Sequence, residues 1–129
     1  MQDIIIADNL EQSLAEAVGK VEHDRLFVLT DTTTRELCWP VVQDYSVMKE
    51  ATMITIPPTD EAKTLETLTS VWTSLQQGGA TRHSLMVNLG GGMVTDLGGF
   101  AASTFKRGMA YINIPTTLLS QVDASVGGK

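Results

Sequence analysis

The chain has 129 residues, 43% hydrophobic and 19% charged, enough apolar material to bury one core. Its formal net charge of −6 argues against a nucleic-acid partner, which needs a basic surface. No apolar run approaches the ~20 residues of a membrane span, the start MQDIIIADN lacks a signal peptide's basic region, and the single cysteine cannot close an internal disulfide, so a cytoplasmic location is expected.

Residues 3–7 (DIIIA) are short and β-branched, as a first strand would be. Asp8 or Asn9 is placed to cap a helix in which Leu10, Leu14, Ala17 and Val18 fall at helical spacing before Gly19. Residues 26–29 (LFVL) make a second, buried strand, opening into a polar turn over 30–34 (TDTTT) whose side chains bond backbone readily. A short helix over 35–39 follows, and Pro40 is expected to stop it. Residues 53–56 (MITI) are a further strand, closed by Pro57 and Pro58. Thr59 or Asp60 would cap a long helix to Gln77, with Leu65, Leu68, Val71, Trp72 and Leu75 on its apolar stripe and Gly78-Gly79 at its end. Next come an apolar strand at 85–89, three glycines, a helix over 93–105, a strand at 111–114 and a short helix from Thr116 behind Pro115. Trp39, Trp72 and the six methionines read as core. Strand and helix alternate throughout, which predicts an α/β fold: a Rossmann-like sheet with helices on both faces, free of internal repeats.

The chemistry concentrates between Leu85 and Lys129. Gly90, Gly91 and Gly92 have no Cβ, so they can take positive φ and admit a ligand close to the backbone. The helix behind them would aim its free N–H groups, and roughly half a positive charge, at such a ligand. Strand, glycine turn and helix together suit a diphosphate, although a merely tight strand–helix turn would look the same. Asp96 could complement the helix dipole or touch a cofactor, and Gly98 and Gly99 imply close packing against the sheet or the cofactor. Lys106 and Arg107 would by themselves pass for a solvated pair at a helix end. Thr116 and Thr117 stand at a strand end, where one hydroxyl could cap a helix and the other meet a ligand. Asp123 and Lys129 are opposite charges in a nearly uncharged segment, able to handle protons in a cleft or to pair on the surface. His23, His83 and Cys38 are far apart in the sequence and lack the local ligand pairs of a metal site.

The blocks GGGMVTDLGGFAASTFKRG and IPTTLLSQVDASVGGK closely resemble the 3-dehydroquinate synthase family of sugar-phosphate cyclases, and the likeness continues more weakly through the first 84 residues. The resemblance implies cyclisation of 3-deoxy-D-arabino-heptulosonate 7-phosphate to 3-dehydroquinate and phosphate, in the shikimate route to aromatic amino acids, with NAD lent a hydride that it returns. It places the NAD pyrophosphate on Gly91, Gly92 and Met93, a cofactor-binding carboxylate at Asp96, and further NAD contacts at Thr116, Thr117 and Leu119. Asp123 and Lys129 would line the junction of nicotinamide and substrate, serving catalysis and both ligands. Arg107 would bind substrate phosphate in a neighbouring subunit, which implies a homodimer.

Two upstream sites carry over with a departure each. Asp31 and Thr33 match the turn that approaches the adenosine end of NAD, Thr33 standing where the family has Asn. Asp60 and Lys63 match a Glu and a Lys of the family, the acid one methylene shorter. Either pair could equally belong to a capped first helical turn. The family's zinc or cobalt is held by a Glu and two His of a carboxyl-terminal domain, so no metal ligand is expected here. Because the chain stops at Lys129, inside the glycine-rich block, it is expected to be the amino-terminal NAD-binding piece of a two-domain polypeptide, inactive alone. Another sugar-phosphate cyclase, a related NAD-dependent dehydrogenase and a free-standing nucleotide-binding module are the alternatives.

Overall fold

The structure, a computed structural model, describes residues 10–57 and 65–116 together with the backbone of residues 2–4. Its elements alternate as the pattern predicts: β1 (Gln2–Ile4), α1 (Leu10–Lys20), β2 (Leu26–Asp31), α2 (Thr32–Leu37), α3 (Trp39–Val42), β3 (Thr52–Ile56), α4 (Leu65–Gln77), β4 (Leu85–Gly90), α5 (Gly92–Thr104) and β5 (Ala110–Pro115). The five strands are all parallel, in the order β1-β5-β4-β2-β3. Every residue of β2 and β4 is buried, because a central parallel strand is covered on both faces and therefore reads as a continuous apolar run.

Alternate residues of those strands feed two cores. Leu26, Val28, Leu85, Val87, Leu89, Ile112 and Ile114 pack with Leu10, Leu14 and Val18 of α1 and with Cys38 and Val42 around α3. Phe27, Leu29 and Met86 pack on the opposite face with Leu68, Val71 and Leu75 of α4 and Val94, Leu97 and Ala101 of α5. Helices thus cover both faces.

Several local expectations give way. The polar turn over 30–34 is absent: Thr30 and Asp31 finish β2, and α2 begins at once because Asp31 Oδ1 accepts the Thr34 N–H at 2.7 Å. Pro40 stops no helix. It lies in the first turn of α3, where its missing N–H has no intrahelical partner to lose, and the break falls at Cys38. Helix α1 runs through Gly19 to Lys20. Leu65 leaves the apolar stripe of α4 and is 74% exposed, one turn before the helix settles on the sheet with Leu68. Trp39 and Trp72 are half-buried rather than core; Trp72 spends its indole N–H on Ala101 O and Thr104 Oγ1, tying α4 to α5. Met48, Met86 and Met109 are buried, while Met53 and Met93 only border the core. The caps expected at Asp8, Asn9, Thr59 and Asp60 lie outside the described residues.

Candidate functional site

In this strand order β2 leads outward to β3 and β4 leads the opposite way to β5. Adjacent strands whose connections diverge leave a crevice outside their carboxyl ends, the usual ligand position in open α/β sheets. Here Asp31 closes β2 and Gly90 closes β4. The two sides converge on Gly90, where a Cβ would stand 2.9 Å from Val94 Cγ2 of α5 and 3.3 Å from Thr34 Cγ2 of α2.

The two helices that begin at the crevice are finished differently. The N-terminus of α2 is closed by a capping box, in which Asp31 Oδ1 accepts from Thr34 N and Thr34 Oγ1 accepts from Asp31 N at 3.0 Å. The N-cap of α5 is Gly91, which offers no side-chain cap, and no acidic residue stands in the first turn. The leading N–H groups of α5 therefore receive no side-chain cap from the N-cap residue. The glycines achieve this without positive φ. Gly91 is extended at φ −78°, and Gly79 and Gly108 are the positive-φ glycines among the described residues. The freedom of Gly90, Gly91 and Gly92 to take positive φ is not used here: Gly90 answers to crowding by Val94, a Cβ on Gly91 would lie 3.7 Å from Thr116 Oγ1, and a Cβ on Gly92 would meet no atom of the other described residues within 4 Å beyond its chain neighbours and own helix backbone.

The remaining candidates fall into four groups. Met93 is half-buried at the first turn of α5, Thr116 half-buried at the end of β5, and Thr33 exposed at the start of α2, all at the crevice. Asp96 is exposed one turn further along α5, lining a groove of about 330 Å³ with Thr95, Gly99, Phe100, Tyr111 and Asn113. Arg107 is exposed beyond the other end of α5, past Lys106 in a left-handed conformation at φ 53°. At ~1.5 Å per residue that helix is about 20 Å long, so Arg107 cannot serve the crevice of its own chain. Asp60, Lys63, Thr117, Leu119, Asp123 and Lys129 lie outside the described residues.

Larger hollows lie at the opposite, amino edge. One of about 450 Å³ is lined by Glu22, His23, Asp24 and His83. The two histidines, far apart in the sequence, line this one hollow because loops 21–25 and 78–84 pack side by side; Cys38 is buried elsewhere. No group of three or more His, Cys, Asp or Glu side chains that could hold a metal exists among the described residues. Nor is any helix among them long and apolar enough to cross a membrane. The sequence reading passed over Asn88 and Asn113, both buried under α5; a polar residue inside an apolar strand run was the available signal.

A parallel sheet with helices on both faces and a switch point between β2 and β4 defines a doubly wound α/β domain. The 3-dehydroquinate synthase N-terminal family model matches residues 53–129, and the chain belongs to the 3-dehydroquinate synthase family. It is 47% identical to the 3-dehydroquinate synthase of Parabacteroides distasonis over 99% of this chain and 36% of that protein. The enzyme of the same name from Thermococcus kodakarensis is 45% identical over 91% of this chain and 33% of its own length. The chain thus spans about a third of these relatives. Among solved structures, 2-epi-5-epi-valiolone synthase from Streptomyces hygroscopicus, with NAD⁺ and Zn²⁺ bound, matches at TM-score 0.71 and 31% identity, covering 96% of this chain and 35% of that one. A 2-deoxy-scyllo-inosose synthase complexed with carbaglucose-6-phosphate, NAD⁺ and Co²⁺ shares the fold at TM-score 0.77 and 24% identity, over 88% of this chain and 31% of that one.

Proposed function

We propose that the chain forms the amino-terminal NAD-binding domain of a 3-dehydroquinate synthase, converting 3-deoxy-D-arabino-heptulosonate 7-phosphate to 3-dehydroquinate and phosphate. The observation that carries this is the bare start of α5, where a Cβ at Gly92 would meet no atom of the other described residues within 4 Å, its chain neighbours and own helix backbone aside. That start lies inside the segment matched by the family model. The fit to a dinucleotide is good: a diphosphate needs N–H donors, positive potential and close backbone approach, and Gly91, Gly92 and Met93 offer all three.

NAD, when bound, supplies a reversible hydride acceptor. The chain's own residues position it and hold protons. Gly91, Gly92 and Met93 grip the diphosphate, and Asp96 contacts the cofactor from the next turn. Asp31 and Thr33 approach the adenosine end, and Asp60, Lys63, Thr116, Thr117 and Leu119 make further contacts to the cofactor. The Asp123 carboxylate and Lys129 ammonium orient the reacting hydroxyl and hold its proton. Arg107, remote from its own crevice, binds the substrate phosphate of a partner subunit in a homodimer. The family resemblance assigns the divalent metal, zinc or cobalt, to a second domain.

Calorimetric titration of NAD into the 129-residue chain tests this. Binding between micromolar and low millimolar, weakened by Asp96→Ala, is expected; no binding would overturn a cradle preformed in this domain. Alone, the chain is expected to show no turnover with substrate, NAD and zinc. A second reading, another NAD-dependent sugar-phosphate cyclase, is favoured by the 31% likeness to 2-epi-5-epi-valiolone synthase over nearly the whole chain. Identifying the product of the full-length enzyme separates the two.

A further inference from the structure

Asn88 is wholly buried in β4, and its register partner on β5 is Asn113. Both side chains face α5, and Asn88 Nδ2 donates to Asn113 Oδ1 at 3.0 Å. That leaves Asn88 Oδ1 buried without a hydrogen-bond partner among the described residues. Turning the amide over would only exchange which atom is orphaned. A Cβ on Gly98 would overlap this amide, its three nearest neighbours being Asn88 Oδ1, Cγ and Nδ2. The hydrogen that stands in place of that Cβ is therefore aimed at Oδ1, a weak Cα–H···O contact.

One inward position further along β4, sizes reverse. Gly90 has no side chain, and Val94 of the helix fills the place where its Cβ would be. Residues 88 and 90 point to the same face of the strand, and 94 and 98 lie one turn apart on the same face of the helix. Strand and helix thus exchange large and small residues twice: Asn88 against Gly98, then Val94 against Gly90. Two contacts without clearance, about 6 Å apart along α5, fix both its height and its tilt. Gly92 lies about 9 Å beyond Gly98, so a tilt about either contact displaces the N–H groups that begin the helix.

We propose that Asn88 is a positioning residue: its amide, steadied by Asn113 and wedged under Gly98, sets where the start of α5 presents its N–H groups. The proposal rests on the reading of that start as a diphosphate site, and its test separates the two. Asn88→Ala, Gly98→Ala and the double variant are prepared in this chain. Thermal unfolding, the ¹H–¹⁵N signals of Gly91, Gly92 and Met93, and affinity for ADP are then measured.

Gly98→Ala should lower the Tm by about 10 °C or prevent folding, and the double variant should recover at least about half of that loss, because Asn88→Ala removes all three clashing atoms. The Gly91 and Gly92 signals should move in each folded single variant and return toward wild type in the double. ADP affinity should fall about tenfold in the singles and return to within about threefold in the double. A Gly98→Ala penalty that is the same in the wild-type and Asn88→Ala backgrounds overturns the wedge. Folded single variants with unmoved Gly91 and Gly92 signals and wild-type ADP affinity overturn the positioning role. A wild-type chain that takes no ADP while the rescue succeeds overturns the diphosphate reading and leaves the wedge standing.

Discussion

A methyl group added at Gly90 would sit 2.9 Å from Val94 Cγ2, whereas one added at Gly92 would meet none of the other described residues within 4 Å, its chain neighbours and own helix backbone aside. The two substitutions should therefore separate packing from binding. Gly90→Ala is expected to cost about 1–3 kcal/mol of stability by overpacking. Gly92→Ala should leave the urea midpoint unchanged or raise it, since alanine favours a helix by about 1 kcal/mol over glycine. In the same variant NAD affinity should drop about tenfold, as the new methyl occupies ligand space. Parallel losses of stability and affinity in both variants would refute the separation. Cys38 gives a second test at this scale. Burial, and secondarily the charge of Asp31, pushes its thiol above the ordinary value of 9.0. Because the thiolate is the reactive form, iodoacetamide at about pH 8 should label it only after unfolding. Little of this was legible beforehand. The glycine run announced a special turn, but whether each glycine answers to backbone angle, a neighbour or a ligand is decided by packing partners distant in sequence. Asn88 and Gly98 are ten residues apart and meet only because α5 folds back over β4.

The elements themselves were legible wherever one force set them. Helix α1 buried the four residues its period indicated, and β2 and β4 announced themselves as apolar runs flanked by polar loops. The sequence misled where local punctuation was ambiguous, since Pro40 can end one helix or begin the next, and where exposure depends on how far a helix overhangs the sheet, as at Leu65. Strand order was not legible, because the pairing of β1 with β5 joins opposite ends of the chain. At the amino edge the loops before β2 and β4 are stitched by Asp24, which accepts from Ser84 Oγ and Thr81 Oγ1, each at 2.6 Å, while its N–H donates to His83 O. The Ser84 hydroxyl, then that of Thr81, hold the Asp24 carboxyl below its ordinary 3.8. The folded chain consequently binds fewer protons here than the unfolded chain in acid. The contribution is present above pH 3.8 and lost as pH falls through the lowered value. Asp24→Asn should lower the urea midpoint at about pH 7, with a gap to wild type that narrows toward about pH 3. A gap independent of pH would show that the carboxylate charge is not what joins the loops.

For the whole molecule, the distance between the two ends of α5 is the decisive quantity. The start of that helix faces the crevice, and its end carries the exposed pair Lys106 and Arg107, with Lys106 held in a left-handed conformation that few lysines adopt. An arginine at the far end of a helix about 20 Å long is an ordinary solvated cation, a contribution to another chain's site, or a group that serves its own chain away from the crevice. Mixing two forms of a full-length enzyme carrying this domain, each expected to be inactive, distinguishes them. One form has Arg107→Ala, and the other has Lys129→Met with Arg107 intact. If Arg107 acts across the interface of a twofold dimer, each mixed dimer holds one complete site, formed by Lys129 of the first subunit and Arg107 of the second. Random re-pairing makes about half the dimers mixed, so activity should recover to about a quarter of wild type. If Arg107 acts within its own chain, every site in every mixed dimer lacks one of the two residues, and mixing recovers nothing. The same null result would follow if the enzyme were a monomer, so sedimentation of each form accompanies the assay. A dimer without recovery would overturn the role across the interface, and wild-type activity in the Arg107→Ala form by itself would reassign Arg107 to the solvated surface.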